Sequence, residues 1–316
     1  MELQLKNIGM IKEANVKLEG LTVIAGENDT GKSTVGKALY SVIKYYQTVF
    51  KKREDNRWND YKYIFKEAFK SDYNHIALKI DSFEIKYEES IWELPEKYHS
   101  LDIIFIESPL VWSFTDFFRD IAQVESQMNI KLDYPWLMKD LNFKLHIKNA
   151  SDGLDIKDEM TSLMGGEFKK DELGHYYFDK QGKRIELVNT ATGIKTFGIF
   201  QVLSQNNYLN KNTVLVLDEP EVHLHPKWQL EMAKIIVELV KNGVKVLVNS
   251  HSPYMIEALQ RYSELAEVNS DFYLAEDGYI KKENDSNSET LAQIFEKLSE
   301  PFDVFEEMES ERFQNG

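Results

Sequence analysis

An α/β fold is what this sequence predicts, and three observations predict it. Short apolar runs read as buried strands: Leu21-Thr22-Val23-Ile24-Ala25, Leu101-Asp102-Ile103-Ile104-Phe105-Ile106, Thr213-Val214-Leu215-Val216-Leu217, and Val244 to Val248. Segments of helical period follow several of them. A glycine-rich turn, Gly26-Glu27-Asn28-Asp29-Thr30-Gly31-Lys32-Ser33-Thr34, joins the first run to the first helix, and the acidic pair Asp218-Glu219 closes the third run.

The order strand, glycine turn, helix is what a phosphate cradle requires. Gly26 and Gly31 let the backbone curl until its N–H groups point at phosphate oxygens, and the helix N-terminus adds its positive dipole end. Lys32 can reach the β- and γ-phosphates of a nucleotide, and the Ser33 hydroxyl can coordinate Mg²⁺. In the helix that follows, Val35, Ala38, Leu39, Val42, Ile43 and Tyr46 fall on one apolar face.

Composition bounds the rest. The 316 residues suffice for one large or two ordinary domains, and 42% hydrophobic with 29% charged residues leaves no case for a long disordered region. Acidic residues exceed basic ones by 53 to 38, a net charge of −15 that opposes sequence-independent wrapping of nucleic acid. The absence of cysteine removes disulfides, thiolate metal sites and cysteine nucleophiles together. Met1 to Lys6 lacks the basic and apolar blocks of a secretory signal, and no apolar run approaches the roughly 20 residues that span a bilayer. A soluble cytoplasmic protein without membrane contact is expected.

Along the chain, 1–50 reads as the first part of a nucleotide-binding core: two half-buried strands, the buried strand, the glycine turn and the first helix. Residues 51–185 read as inserted helical and hairpin material, and 186–316 as the second part of the core with a C-terminal helix. From Tyr45 to Tyr73 basic and aromatic residues interleave, Lys51, Lys52, Arg53, Trp58, Tyr61, Lys62, Tyr63 and Phe65 among them, a pattern that can stack on a nucleic-acid strand. An amphipathic helix with inward aromatics is the preferred reading, because Asp55, Asp60, Glu67 and Asp72 dilute the charge. Hairpins are expected within His75–Glu88, across Asp179-Lys180-Gln181-Gly182, and around Asp277-Gly278. Later helices are expected from about Ile194 to Ser204, through Met232, Ile235, Ile236, Leu239 and Val240, and through Leu291, Ile294, Phe295 and Leu298.

Asp218 at the edge of a central strand is placed to hold Mg²⁺ beside Lys32 and Ser33, and the adjacent Glu219 can polarise an attacking water. A metal, a lysine and a water-orienting carboxylate are sufficient core parts for phosphoryl transfer. His251 ends the next strand at the same edge, where it can reach a γ-phosphate. His223 and His225 alternate as a metal pair would, but without a third ligand a loop role at a subunit interface is the preferred reading.

Taken together, Gly26 to Ser33, Asp218-Glu219-Pro220-Glu221, His223-Leu224-His225-Pro226 and Asn249-Ser250-His251-Ser252-Pro253 resemble the ABC-type P-loop ATPase heads of the SMC, RecF and OLD-like group. More narrowly they resemble AAA-family ATPases (the AAA-15 and AAA-21 groups) of bacterial anti-phage defence, including Septu-like and PARIS-like ATPase subunits. The resemblance implies a mixed sheet with flanking helices and ATP with Mg²⁺ as cofactors. Asp218 would be the Walker B carboxylate and Glu219 the catalytic base, with Lys32 also catalytic, Glu221 to Pro226 the D-loop region and His251 the switch histidine. It further implies that Thr190-Ala191-Thr192-Gly193-Ile194-Lys195 is the signature that closes on nucleotide held by a second protomer. Ala191 stands where that pattern has serine and Ile194 where it has an acidic residue or glutamine, so Thr190 or Thr192 would supply the hydroxyl and turnover would be slow or partner-dependent. Glu107 takes the place of the usual glutamine and joins Ser33 and Asp218 as a candidate metal ligand.

No buried strand ending in paired carboxylates is read after Pro253, so a TOPRIM nuclease domain of the OLD type is not expected; long heptad arms of the SMC type are absent too. The expectation is therefore a homodimer with composite ATP sites that regulates a separately encoded effector such as a nuclease, with nucleic acid involved indirectly. Two alternatives stand beside it: a RecF-like repair ATPase that binds DNA directly, and a nucleotide-gated scaffold with negligible turnover. A transporter ATPase ranks last.

Overall fold

The computed structural model describes residues 1–49, 64–66, 68–69, 77–80, 83–86, 100–129 and 136–314. Two alternating strands, β1 (Glu2–Ile8) and β2 (Ile11–Lys17), form a hairpin before the fully buried β3 (Leu21–Ala25), and α1 (Lys32–Val49) follows the glycine turn. Then come β4 (Ala77–Ile80), β5 (Phe83–Lys86) and β6 (Asp102–Ile106), and the helices α2 (Thr115–Met128), α3 (Trp136–His146) and α4 (Lys157–Met164). A small antiparallel sheet of β7 (Glu167–Lys170), β8 (Tyr176–Lys180) and β9 (Lys183–Glu186) precedes α5 (Thr192–Gln205). The chain ends through β10 (Thr213–Asp218), α6 (Pro226–Lys241), β11 (Lys245–Ser250), α7 (Pro253–Leu265), β12 (Ser270–Glu276), β13 (Tyr279–Lys281) and α8 (Asn287–Gln314).

The main sheet has ten strands in the order β5-β4-β1-β2-β13-β12-β3-β11-β10-β6. From β12 through β3, β11 and β10 to β6 all neighbours run parallel, so their C-terminal ends form one edge. In these strands successive side chains face opposite layers. Val214 and Val216 of β10 join Val35, Ala38, Leu39 and Val42 of α1, whereas Leu215 and Leu217 join Phe197, Phe200, Ile236 and Met255 of the helices opposite. An uninterrupted apolar run is thus what a strand covered on both faces needs, and each such buried side chain contributes about 1.5–3 kcal/mol. The architecture is the P-loop arrangement of a mixed α/β sheet between helical layers.

Within 51–185, β6 forms an edge of the parallel region, and β4 and β5 extend the sheet beyond β1. Against expectation, a buried strand does lead into paired carboxylates after Pro253, since β12 ends at Glu276 and Asp277 follows it. That pair enters a tight hairpin turn, with Asp277 and Gly278 at φ of +50° and +82°, and Glu276 is engaged by Lys297 at 3.0 Å. The pairing was hidden because Leu274-Ala275-Glu276-Asp277-Gly278 reads equally as a turn signal.

Of the aromatic and basic stretch, Phe65 is buried and its ring stacks on Phe69, with centroids 4.5 Å apart. Lys51, Lys52, Arg53, Trp58, Tyr61, Lys62 and Tyr63 lie outside the described residues. The helices after β6 are tied to the core by a buried ion pair, Lys144 of α3 to Asp102 of β6 at 2.5 Å, to which Gln47 of α1 donates at 2.7 Å. Burial alone would raise the Asp102 pKa, but Lys144 and Gln47 hold it below the usual carboxylate value.

Candidate functional site

The parallel register brings the predicted residues to one edge. Ala25 pairs with Ser250, Asn249 with Asp218, and Leu217 with Ile106. The residues that follow these positions, Gly26, His251, Glu219 and Glu107, therefore emerge side by side. Within the sheet β11 lies between β3 and β10.

The turn from Gly26 to Thr34 adopts the curled form that its glycines predict. Gly26 has a φ of +156°, and a Cβ there would meet the Ala275 carbonyl oxygen at 2.3 Å, so a larger residue is sterically excluded. Asp29 and Gly31 are also left-handed, and Glu27, Asn28 and Asp29 are exposed at the tip. The Thr30 hydroxyl donates to the Glu27 carbonyl at 2.9 Å, and the Thr34 amide to the Gly31 carbonyl at 3.0 Å. Lys32 is only 4% exposed, and its Nζ donates to the carbonyls of Gly26 at 2.9 Å and Glu27 at 2.5 Å. Burial lowers its pKa, opposed by the nearby carboxylates of Glu219, Asp218 and Glu221.

The Ser33 hydroxyl donates to Asp218 Oδ1 at 2.9 Å, and the Asn249 side-chain amide donates to the same oxygen at 2.8 Å. This hydroxyl and carboxylate are hard oxygen donors of the kind Mg²⁺ takes alongside phosphate oxygens and water, so the residues fit that ion. No group of three or more His, Asp or Glu side chains able to hold a metal occurs among the described residues. A cleft of about 260 Å³ opens here, and Ser33, Glu107, Asp218, Glu219, Thr196 and Phe200 line it. Glu107 Oε1 stands 3.7 Å from Lys37 Nζ, so this candidate ligand shares the cleft while facing a cation.

Glu219 is held at φ +50°, with its amide donating to the Asn249 carbonyl at 2.9 Å. A left-handed carboxylate residue directly after a buried strand is strained, and the turn imposes it. Its Oε1 is 3.2 Å from His251 Nδ1, though the two are not aligned for a hydrogen bond. Two further turns, Val222 amide to Glu219 carbonyl and Leu224 amide to Glu221 carbonyl, lead to α6. There His225 Nδ1 accepts from the Lys227 amide at 3.2 Å and caps the helix, a role that Pro226 at the first helical position signals. His223 sits at φ +66° in the turn.

The Thr190–Lys195 segment leads into the start of α5. The Thr190 hydroxyl donates to the Glu186 carbonyl at 3.0 Å and the residue is buried, whereas Thr192 is exposed at the start of α5. Gly193 packs under Trp228, whose ring a Cβ would meet at 3.1 Å. None of these three lines the cleft around Ser33, to which α5 contributes Thr196 and Phe200 instead. Sequence reasoning assigned no task to Asn249, Thr196 or Phe200; the polar Asn249 ending an apolar strand was the one available signal.

The AAA ATPase domain family (AAA_15) matches residues 169–256, which take in Thr190–Lys195, Asp218–Pro226 and Asn249–Pro253. No curated protein matches this chain. Among solved structures, an SMC head bound to the C-terminal winged-helix domain of ScpA is similar with a TM-score of 0.48 and 14% identity, over 89% of this chain and 95% of that one. The ADP conformation of an ATP-binding cassette from an ABC transporter gives 0.40 and 16%, over 96% and 97%. A Clostridium perfringens protein that is part of an ABC transporter complex gives 0.39 and 16%, over 97% and 98%.

Proposed function

We propose that this chain binds ATP with Mg²⁺ at the edge formed by β3, β11 and β10 and hydrolyses it. The observation that carries the reading is the Ser33 to Asp218 contact of 2.9 Å beneath the glycine turn, with Glu219 and His251 beside it. In this reading the amides of 26–34 and the Lys32 ammonium bind the phosphates, displacing the carbonyl contacts that Lys32 makes here. Ser33 and Asp218 would hold Mg²⁺, with Glu107 lining the same cleft. When bound, the ion would neutralise charge on the phosphates. Glu219 orients and deprotonates the attacking water, and the His251 ring contacts the γ-phosphate. General-base positioning of this kind contributes about 10²–10⁴ in rate.

The chain works as a homodimer in this proposal, with Thr192 and Gly193 of one protomer closing the nucleotide of the other, so that ATP binding favours the closed pair and hydrolysis opens it. The exposed Thr192 supports it as the hydroxyl donor, because the Thr190 hydroxyl is already engaged. The loss of a hydroxyl at Ala191 supports slow or partner-dependent turnover. By its motifs the switch regulates a separately encoded effector, such as a nuclease of an anti-phage system in the cytoplasm, with nucleic acid acting through that partner. No helix among the described residues is long and apolar enough to cross a membrane.

Glu219→Gln tests the mechanism. The variant is expected to accumulate as an ATP-bound dimer with phosphate release reduced at least about 100-fold. A monomer in ATP that hydrolyses at the parent rate overturns it.

A further inference from the structure

Glu221 has a buried carboxylate, 4% exposed, engaged by the loop that carries His251. Its Oε1 accepts the Ser250 hydroxyl at 2.7 Å, the His251 amide at 2.9 Å and the Ser252 amide at 3.2 Å. Consecutive amides converging at a helix start form an anion-binding concavity, and here the chain fills it with its own carboxylate. A second strut comes from α6: Gln229 accepts the Ser252 hydroxyl at 2.6 Å while its amide donates to the Leu224 carbonyl at 3.2 Å.

The His251 ring lies between two carboxylates. Its Nδ1 is 3.2 Å from Glu219 Oε1 and 3.7 Å from Glu221 Oε1, and it makes no hydrogen bond to either. Glu221 Oε2 is likewise buried without a partner. Backbone anchoring, rather than a bond to the ring, is therefore what fixes where His251 points. The same carboxylate belongs to the turn that sets Glu219 left-handed, so one side chain links the two loops.

We infer that Glu221 is a positioning residue that holds the 250–252 backbone so that His251 stays beside Glu219 at the reacting end of the nucleotide. The inference rests on the ATPase reading and deepens it. Glu221 touches no substrate; it acts through His251. A group that acts through another loses its effect when that other is removed, and independent groups multiply.

The experiment measures kcat and KM for ATP, with thermal melting, in the parent, Glu221→Gln, His251→Ala and the double variant. The amide of Glu221→Gln keeps an oxygen acceptor but weakens the three bonds. Glu221→Gln is expected to lower kcat about tenfold with KM within about threefold, and to have no further effect in the His251→Ala background. An unchanged kcat, or reductions that multiply in the double variant, overturns the inference. Should Glu221→Gln fail to melt cooperatively, Ser250→Ala removes one donor to the same oxygen and must give a smaller kcat loss that also vanishes without His251. A parent that turns over and a Glu219→Gln that does not, with Glu221→Gln silent, refutes only this inference. A parent that neither binds nor turns over ATP refutes the ATPase reading and this inference with it.

Discussion

The side-chain amide of Asn249 donates to Asp218 Oδ1 at 2.8 Å, the same oxygen that accepts the Ser33 hydroxyl. Asn249 lies near the end of β11, the strand between β3 and β10, so it braces the carboxylate from the strand that separates the two motifs. Hydrogen bonds to charged groups are worth about 1.5–3 kcal/mol net, so Asn249→Ala is expected to lower ATP turnover about 10–100-fold. Steady-state phosphate release measures it. Unaltered turnover with a lowered melting temperature would mean that Asn249 supports only the fold.

Thr190 and Thr192 separate cleanly. Replacing Thr190 by Val breaks a buried hydroxyl bond to the Glu186 carbonyl and is expected to cost about 1 kcal/mol of stability, with modest effect on turnover. Thr192→Ala is expected to leave the melting temperature within a degree or two and to lower turnover at protein concentrations where dimers form. Paired denaturation and ATPase measurements check both, and the reverse pattern would reassign the hydroxyl.

Gly198 lies inside α5, where helix propensity alone favours alanine by about 1 kcal/mol. An added Cβ would stand 2.3 Å from the Phe168 ring, and overpacking of this kind costs about 1–3 kcal/mol. Gly198→Ala is therefore expected to destabilise by urea denaturation, and Phe168→Leu to recover part of the loss. A stabilised Gly198→Ala would show that the small sheet moves aside freely.

His146 of α3 packs edge-on against Tyr176 at 5.2 Å. Its pKa is lowered from 6.5, chiefly by burial, with Lys170 and Arg119 adding to the effect against the Asn142 carbonyl bond. The unfolded chain then binds more protons than the native one between the lowered value and 6.5, so stability falls as pH drops below about 6.5. His146→Phe is expected to show a shallower loss of melting temperature from pH 7 to 5. Parallel curves would remove His146 from the acid response.

Much of the core was legible because local signals agreed. Val35, Ala38, Leu39, Val42 and Ile43 repeat at helical spacing and are all buried, and Met232, Ile235, Ile236, Leu239 and Val240 do the same on α6. The two tight hairpins at Gln181-Gly182 and Asp277-Gly278 have positive φ pairs, which glycine at the second position of each accommodates. Of the site, Gly26 to Thr34 and Asp218 were readable because a strand, a turn and a helix in that order leave few other uses. The engagement of Thr190, the cap made by His225 and the burial of Glu221 were not, since each depends on a group distant in the fold or on the side chain's orientation.

The sequence by itself determined where the strands, helices and tight turns fall, because side-chain period and backbone preference act over a few residues. It also marked the residues on which the proposed phosphate and metal chemistry rests, since glycine, lysine, hydroxyl and carboxylate have few substitutes there. Only the tertiary structure decided that β11 separates β3 from β10, that β6 belongs to the core sheet, that Asn249 donates to Asp218, and that Glu221 accepts the His251 amide. Strand order is set by pairing between segments far apart in the chain, and the energy of such pairings is distributed over a sheet that no local pattern encodes.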